Sequence, residues 1–390
     1  MFYRRSRRPR SLARKLRLDA MECRLTPAFT AGITASSLTP NEGDTVTLMG
    51  TATEATDPTA VTFSWSVSKD GGGTPYATGT GQNFAFIPND NGTYVATLSI
   101  SEPSAPGSPT DEESVTIVAM NVAPTASLSG PTVAVPGFAS VFTLGATDPS
   151  TADAAAGFTF NIDWDNNGTV DQTVNGPSGT TVTHTFDTLG DTTVSVTAAD
   201  KDGGVSAPVT QSVAVKQAAL IDDPLNPGHQ FLAVAGTAGS DRININPVGN
   251  SGRVRVRLND QALGAFGTGT RIAVLGLAGD DNIHLAGSIR AAAWLDGGDG
   301  NDRLMGAKGN DVLRGGAGDD QLNGAQGRDI VIGGAGADRI LGGPGDDLMV
   351  AGTTTYDSTD ASLFAIAQIW GGGGSIADRV DDIRTGTTPL

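Results

Sequence analysis

The stretch that decides the fold is residues 297–350, which divide into six nines: GGDGNDRLM, GAKGNDVLR, GGAGDDQLN, GAQGRDIVI, GGAGADRIL and GGPGDDLMV. Glycine occupies positions 1 and 4 of every repeat, and aspartate occupies position 6. Position 8 is always apolar, and its residues are Leu304, Leu313, Leu322, Val331, Ile340 and Met349. A fixed short period predicts a solenoid in which each repeat stacks on its neighbours.

The repeat has the composition of a cation-binding loop. Glycine allows backbone angles that are closed to other residues, so several carbonyls can turn toward one point. Carbonyl oxygens and a carboxylate make an all-oxygen site, which suits Ca²⁺ better than zinc or copper. The predicted ligands come from positions 6, 1 and 4: Asp302, Asp311, Asp320, Asp329, Asp338, Asp347, Gly297, Gly300, Gly306, Gly309, Gly315, Gly318, Gly324, Gly327, Gly333, Gly336, Gly342 and Gly345.

The array resembles the RTX, or hemolysin-type, calcium-binding repeat. The resemblance implies a parallel β-roll in which each nonapeptide forms a six-residue loop and a three-residue strand, and two nonapeptides complete a turn. Aspartates of repeats one, three and five would then line one edge, and those of repeats two, four and six the other. Ca²⁺ between successive loops would relieve the repulsion of stacked carboxylates. We therefore expect about four complete inter-loop sites.

The even-numbered repeats depart from the pattern at Ala307, Ala325 and Arg328, so we expect their edge to bind calcium more weakly. The alternative is a solenoid without bound ions, held by strand pairing alone. Such a roll would have a thin core for ordering so many glycines.

Degenerate copies of the repeat precede the array. GTAGSDRIN begins at Gly236 and GLAGDDNIH at Gly276, with the strands RVRVRLN and TRIAVLGL between them. These copies lie out of phase with the main array. We predict that residues 233–296 form an N-terminal cap of short parallel strands, because terminal repeats are usually atypical. Asp241, Asp281 and Asp299 are further candidate metal ligands.

Residues 29–216 alternate in strand fashion between turn residues, which predicts two β-sandwiches, 29–120 and 121–216. In the second, IDWDNNGTVD and HTFDTLGDTTVSVTAADKDGG resemble the PKD type of immunoglobulin-like domain. The first lacks the Trp-Asp pair, so it could be any Ig-like sandwich. Residues 217–232 contain two prolines and are predicted to form a linker. The expected fold class is all-β: two Ig-like (PKD-type) sandwiches, then a calcium-binding parallel β-roll with a short C-terminal helix.

The segment DWDNNGTVD begins like an EF-hand loop, but its twelfth position is Val174 rather than glutamate, and helices are missing around it. Two interpretations remain: a turn that binds nothing, and a calcium site. The candidate ligands of that site are Asp163, Asp165, Asn167 and Asp171.

Strand positions 7 and 9 should point outward. They are mostly polar in the odd repeats and mostly apolar in the even repeats. In the C-terminal cap, residues 351–390, the segment DASLFAIAQIW is the best helix candidate, with Asp360 able to cap it. We predict that this helix covers the apolar face, since an uncovered stripe would be adhesive. A partner-binding face is the alternative.

The chain has 390 residues and a net charge of −17, with 36 Asp against 6 Glu. This acidity argues against nucleic acid and anionic membranes as partners. Residues 1–28 form a basic leader that lacks an apolar signal core and is predicted to be disordered. Its LDAMECRLTP resembles leaders of planctomycete surface and secreted proteins. The single Cys23 permits no internal disulfide, and no apolar run is long enough to span a membrane.

No catalytic motif or nucleophile–histidine arrangement is present, so we expect no enzyme activity and no catalytic residues. Two functions fit the sequence. The first is a calcium-stabilised structural or adhesive protein of the cell surface or extracellular space, with a glycan or a protein as a possible partner. The second is a roll that serves mainly in export and folding by type I secretion, which the resemblance implies in many relatives. A non-catalytic carbohydrate-binding or enzyme-accessory role is more remote.

Overall fold

The structure, a computed structural model, describes residues 28–355 and 360–385. The predicted leader and its resemblance to planctomycete proteins lie outside these ranges, except for Ala28. The chain divides into two compact units between Asn121 and Val122.

The first unit is an antiparallel β-sandwich. Its strands are β1 (Thr30–Ala35), β2 (Val46–Thr53), β3 (Thr62–Lys69), β4 (Ala77–Thr80), β5 (Asn83–Phe86), β6 (Gly92–Ser101) and β7 (Thr110–Ala119), with a 3₁₀ turn at Pro58–Ala60. One sheet has the order β1-β2-β5 and the other β4-β3-β6-β7. Alternate residues of β3 and β6, including Trp65 and Tyr94, are buried between the sheets. This period of two is what the sequence predicts for a half-buried strand.

The second unit begins with another sandwich. Its elements are β8 (Thr125–Ser129), β9 (Val133–Ala134), β10 (Ala139–Thr147), α1 (Thr151–Ala156), β11 (Phe158–Asp163), β12 (Gln172–Gly176), β13 (Thr180–Thr185), β14 (Gly190–Ala199) and β15 (Val209–Val215). The sheets have the orders β13-β10-β8 and β12-β11-β14-β15-β9. Trp164 stacks on His184 with ring centroids 4.2 Å apart, at the end of a shared apolar core. The motif residues that indicated a PKD-type domain therefore meet in this core.

The same unit continues as a β-roll. Its strands are β16 (Ala218–Asp222), β17 (Gln230–Ala235), β18 (Arg242–Pro247), β19 (Arg253–Leu258), β20 (Gln261–Gly267), β21 (Ile272–Leu275), β22 (Asn282–Leu285), β23 (Ala293–Asp299), β24 (Arg303–Met305), β25 (Val312–Ala317), β26 (Gln321–Asn323), β27 (Ile330–Ala335), β28 (Arg339–Leu341) and β29 (Leu348–Val350). They form two seven-stranded sheets, β16-β17-β21-β23-β25-β27-β29 and β20-β19-β18-β22-β24-β26-β28.

Two nonapeptides make one turn of the roll, as expected. Leu313 pairs in parallel with Val331, and Leu304 with Leu322, so within the six repeats each strand pairs with the strand 18 residues further on. Most residues at position 8 point between the sheets into one apolar core. The exception is Met349, which is 54% exposed because its strand is the last of its sheet.

Two predictions about the start of the roll are wrong. Residues 217–232 are not a linker, because β16 pairs antiparallel with β17 and buries Ala218 and Ile221. The cap is also not purely parallel. Strand β19 pairs antiparallel with both β18 and β20, and forms a hairpin at the sheet edge. The prolines that suggested a linker lie in the short turn between β16 and β17.

The predicted C-terminal helix is present and covers the apolar face of the even repeats. It is α2 (Asp360–Gly371), followed by α3 (Ile376–Thr385). Leu363 and Trp370 pack into one cluster with Val312, Ile330 and Ile332. The sandwich residue Val135 joins this cluster nearer the start of the roll. These contacts confirm the predicted cover, and α2 is here called the lid helix.

Candidate metal centre

The position-6 aspartates of the odd repeats form a continuous stack along one edge of the roll, here called the odd edge. Each backbone N–H donates to Oδ1 of the aspartate one turn further on, with N···O distances from 2.7 to 3.0 Å. The members of the stack, in order, are Asp241, Asp281, Asp302, Asp320 and Asp338. The degenerate copies at Gly236 and Gly276 thus stack in line with the regular repeats, although they are out of phase in the sequence.

The opposite edge, here called the even edge, has a shorter stack. Asp311 donates its N–H to Asp329 Oδ1 at 2.8 Å, and Asp329 donates to Asp347 Oδ1 at 3.0 Å. One turn before Asp311, the even edge has no stacked aspartate. There the backbone N–H of Ala293 donates to Asp311 Oδ1 at 2.7 Å. The two edges are therefore unequal in length.

The second carboxylate oxygen, Oδ2, is the unusual group of these stacks. This atom is buried and has no hydrogen-bond partner among the described residues in five aspartates: Asp281, Asp302, Asp320, Asp329 and Asp338. Buried polar atoms are normally satisfied, and leaving a charged one without a partner is costly. A repeated row of such oxygens fits a bound cation.

A carbonyl oxygen lies close to each of these carboxylates. A Cβ placed on Gly315 would approach both Asp320 Oδ2 and the carbonyl of Gly333, one turn further on, to less than 3.0 Å. The same kind of oxygen pair bounds the other position-1 glycines of the stacked loops except Gly342, whose nearest neighbours are all atoms of Asp347. Position 1 must therefore be glycine because its empty side-chain space faces a carboxylate and a carbonyl from successive turns.

In Asp281, Asp302, Asp320 and Asp329, burial raises the pKa of the carboxyl group, and the neighbouring carboxylates add to the effect. The pKa is raised to about 7 in Asp281 and Asp329 and to about 6 in Asp320. In Asp311, burial alone raises the pKa to about 6. Without a cation, the surroundings of these carboxyl groups disfavour the charged form, and a divalent ion would favour it.

The three departures on the even edge have separate structural outcomes. The N–H of Ala307 donates to Asp311 Oδ2 at 2.8 Å, so this carboxylate is satisfied without a metal. Ala325 adopts the left-handed conformation, φ 76°, that glycine adopts at the corresponding Gly343. Arg328 donates to the carbonyl of Gly372, which follows the lid helix.

The remaining candidate ligands lie apart from the stacks. Asp299 is exposed at the last residue of β23. In the sandwich, Asp163, Asp165 and Asp171 each have an oxygen within 4.8 Å of the others. Asp163 accepts hydrogen bonds from the backbone N–H groups of Asn167 and Gly168, and Asn167 turns its own Oδ1 to Thr169 N–H. The structure thus brings the three carboxylates together in a hydrogen-bonded turn, and metal binding there stays a prediction.

The stacked loops, their buried oxygens without partners and the parallel strand pairing of the repeats define a calcium-binding β-roll. Residues 296–331 and 324–353 match the family model described as the RTX calcium-binding nonapeptide repeat. The chain thus carries RTX repeats, and Ca²⁺ is the ion that they bind. The match begins after Asp241 and Asp281, whose place in the stack only the structure reveals.

Solved structures resemble parts of the chain. The PKD domain of an M14-like peptidase from Thermoplasmatales archaeon SCGC AB-540-F20 is 27% identical, covers 25% of this chain and 98% of its own, and has a TM-score of 0.21. The Clostridium thermocellum CbhA fibronectin(III)-like modules are 16% identical, cover 47% of this chain and 94% of their own, and have a TM-score of 0.22. Three N-terminal domains of the bacteriophage RB49 Hoc protein are 13% identical, cover 61% of this chain and 70% of their own, and have a TM-score of 0.22.

Comparison with curated proteins gave no significant match. Neither α2 nor α3, nor any other helix in the described ranges, has the length and hydropathy needed to cross a membrane.

Proposed function

We propose that this chain is a structural or adhesive protein of the cell surface or extracellular space, in which Ca²⁺ bound between stacked loops folds and stiffens the β-roll. The observation that carries the proposal is the row of buried Oδ2 atoms without partners, each beside a carbonyl of the next turn. A hard divalent cation satisfies both kinds of oxygen at once. Millimolar extracellular calcium is in the range that such modules use.

We assign the calcium ligands to the position-6 aspartates and to the carbonyls of the position-1 glycines. Five aspartates on the odd edge enclose four gaps, and three on the even edge enclose two. The expectation of four sites counted only the regular repeats, and we now propose up to six. The odd edge should bind more tightly, because Asp311 on the even edge already has a hydrogen-bond partner for its second oxygen.

The role outside calcium binding rests on the arrangement of the modules. Two immunoglobulin-like sandwiches precede the roll along the chain. We propose that the sandwiches act as spacers and that the roll is a rigid, calcium-dependent display module. We also propose that the role of the chain is non-catalytic.

The test uses the full chain, because the second sandwich packs on the roll. Circular dichroism and limited proteolysis are followed while calcium is added to chelator-treated protein. We expect strand signal and protease resistance within residues 217–390 to rise at about millimolar Ca²⁺. Magnesium at the same concentration is the control ion. Identical spectra and digestion patterns in calcium and in chelator would refute calcium-dependent folding.

A further inference from the structure

The outward side of the second roll sheet carries an unusual concentration of arginine. We call this surface, on β18, β19, β20, β22, β24, β26 and β28, the arginine face. Its six arginines are all exposed: Arg242, Arg253, Arg255, Arg257, Arg303 and Arg339. None of the seven strands contains an aspartate or a glutamate. A basic face of this kind stands out in a chain whose net charge is −17.

Strand register arranges these side chains in a regular row. Cross-strand pairing places Arg242 beside Asn282, then Arg303, Gln321 and Arg339, on five successive strands. Arginine therefore alternates with a carboxamide. Adjacent strands are about 4.8 Å apart, so the arginines recur at about 9.6 Å.

The guanidinium groups of this face are not neutralised within the described part of the chain. Arg242, Arg255, Arg303 and Arg339 make no ion pair with a described carboxylate. The Arg257 guanidinium donates to a backbone carbonyl, that of Asp260, at 2.6 Å. The positive charge of the row is therefore available to an external anion.

A shallow groove of about 160 Å³ crosses the row. Arg303, Gln321 and Arg339 line one side of it, and Met305, Asn323 and Leu341 line the other. Leu341 is 48% exposed. The groove thus offers charge, amide hydrogen-bonding groups and apolar contact over a few strands, which suits a ligand with anionic groups, hydroxyls and C–H surfaces.

From this geometry we propose that the arginine face binds an anionic polysaccharide that carries carboxylate or sulfate groups at regular intervals. Guanidinium groups bind these anions in a bidentate manner, and the intervening carboxamides hydrogen-bond to hydroxyls. Nucleic acid fits less well, because the face has no exposed aromatic ring on the row for base stacking, and phosphates recur much more closely than the arginines. The inference rests on the proposed function, since the row exists only when the roll is folded.

The experiment measures binding of the full chain in calcium to four probes: hyaluronate oligosaccharides, chondroitin sulfate, neutral dextran and single-stranded DNA. The test variant is Arg242→Gln/Arg303→Gln/Arg339→Gln. The matched control, Lys216→Gln/Arg290→Gln/Arg384→Gln, removes the same charge from exposed positions outside the face. Calcium-dependent circular dichroism is recorded for each protein to show that the roll is folded.

We expect at least one anionic glycan to bind in a salt-dependent manner, and dextran not to bind. The test variant should bind about tenfold more weakly than the control. Equal binding by the two variants, binding of dextran, or no glycan binding by folded protein would each overturn the proposal. DNA bound more tightly than either glycan would assign the face to nucleic acid instead. Failure of calcium-dependent folding would appear in the dichroism and would refute the proposed function separately.

Discussion

Gly315→Ala tests the metal site by filling the space that a cation and its ligands require. The added Cβ would lie less than 3.0 Å from Asp320 Oδ2 and from the carbonyl of Gly333, whereas ordinary van der Waals contact begins at 3.4 Å. Each oxygen must therefore move by more than 0.4 Å. Calcium–oxygen distances span only about 2.3–2.6 Å, so a shift of this size takes both oxygens out of the coordination range.

Loss of two oxygens from a set of about 6–8 should raise the calcium midpoint of folding about tenfold or more. Gly315 is not in the left-handed region, so backbone strain does not account for the effect. The matched control is Gly287→Ala, since a Cβ on this exposed glycine meets no atom within 4 Å. The assay is circular dichroism of the full chain during calcium titration.

A second variant, Gly342→Ala, separates loss of calcium ligands from general disruption of the roll. A Cβ on Gly342, at the end of the even stack, has only Asp347 atoms as its nearest neighbours, without a carbonyl from a further turn. Gly342→Ala should therefore raise the midpoint less than Gly315→Ala. If Gly315→Ala and Gly287→Ala titrate alike, the space beside position 1 is not part of the calcium site, and the assignment of ligands is wrong.

Three further predictions concern the stack, the lid and pH. Asp302→Asn and Asp320→Asn should raise the calcium midpoint of folding by similar amounts, and both by more than Asp338→Asn, because Asp302 and Asp320 are interior members of the stack and Asp338 is its last member. Equal shifts of the midpoint in all three variants would argue for independent loops. Truncation after Gly352 removes the lid helix, whose large apolar side chains contribute about 1.5–3 kcal/mol each when fully buried. The shortened chain in calcium should therefore self-associate and bind an apolar dye, and a monomeric product that binds no dye would refute the role of the helix as a lid. Without calcium, the roll should fold most fully near pH 4 and should unfold as the pH rises to about 7, because its buried carboxyl groups have pKa values raised above the ordinary 3.8. Circular dichroism in chelator that shows more strand signal at pH 7 than at pH 4 would contradict the shifts.

The sequence by itself determined the roll, because the nine-residue period fixes the chemistry of every loop. Glycine at positions 1 and 4, aspartate at position 6 and an apolar residue at position 8 are local requirements, and they repeat six times. The helix that covers the even face was also predictable, since an apolar stripe at 18-residue spacing needs a cover. The sandwiches followed from strand alternation and from the segments around Trp164 and His184.

Only the tertiary structure decided which distant segments share an edge. Asp241 and Asp281 lie 40 residues apart, and an antiparallel hairpin intervenes, yet they stack as neighbours because their loops occupy equivalent places in successive turns. Strand β16, in the predicted linker, was missed because Pro224 and Pro227 suggested an irregular segment, whereas both lie in the turn that follows the strand. The arginine face was invisible for the same reason: its row is built from cross-strand neighbours, and chain order does not reveal which strands become neighbours until the sheet has formed.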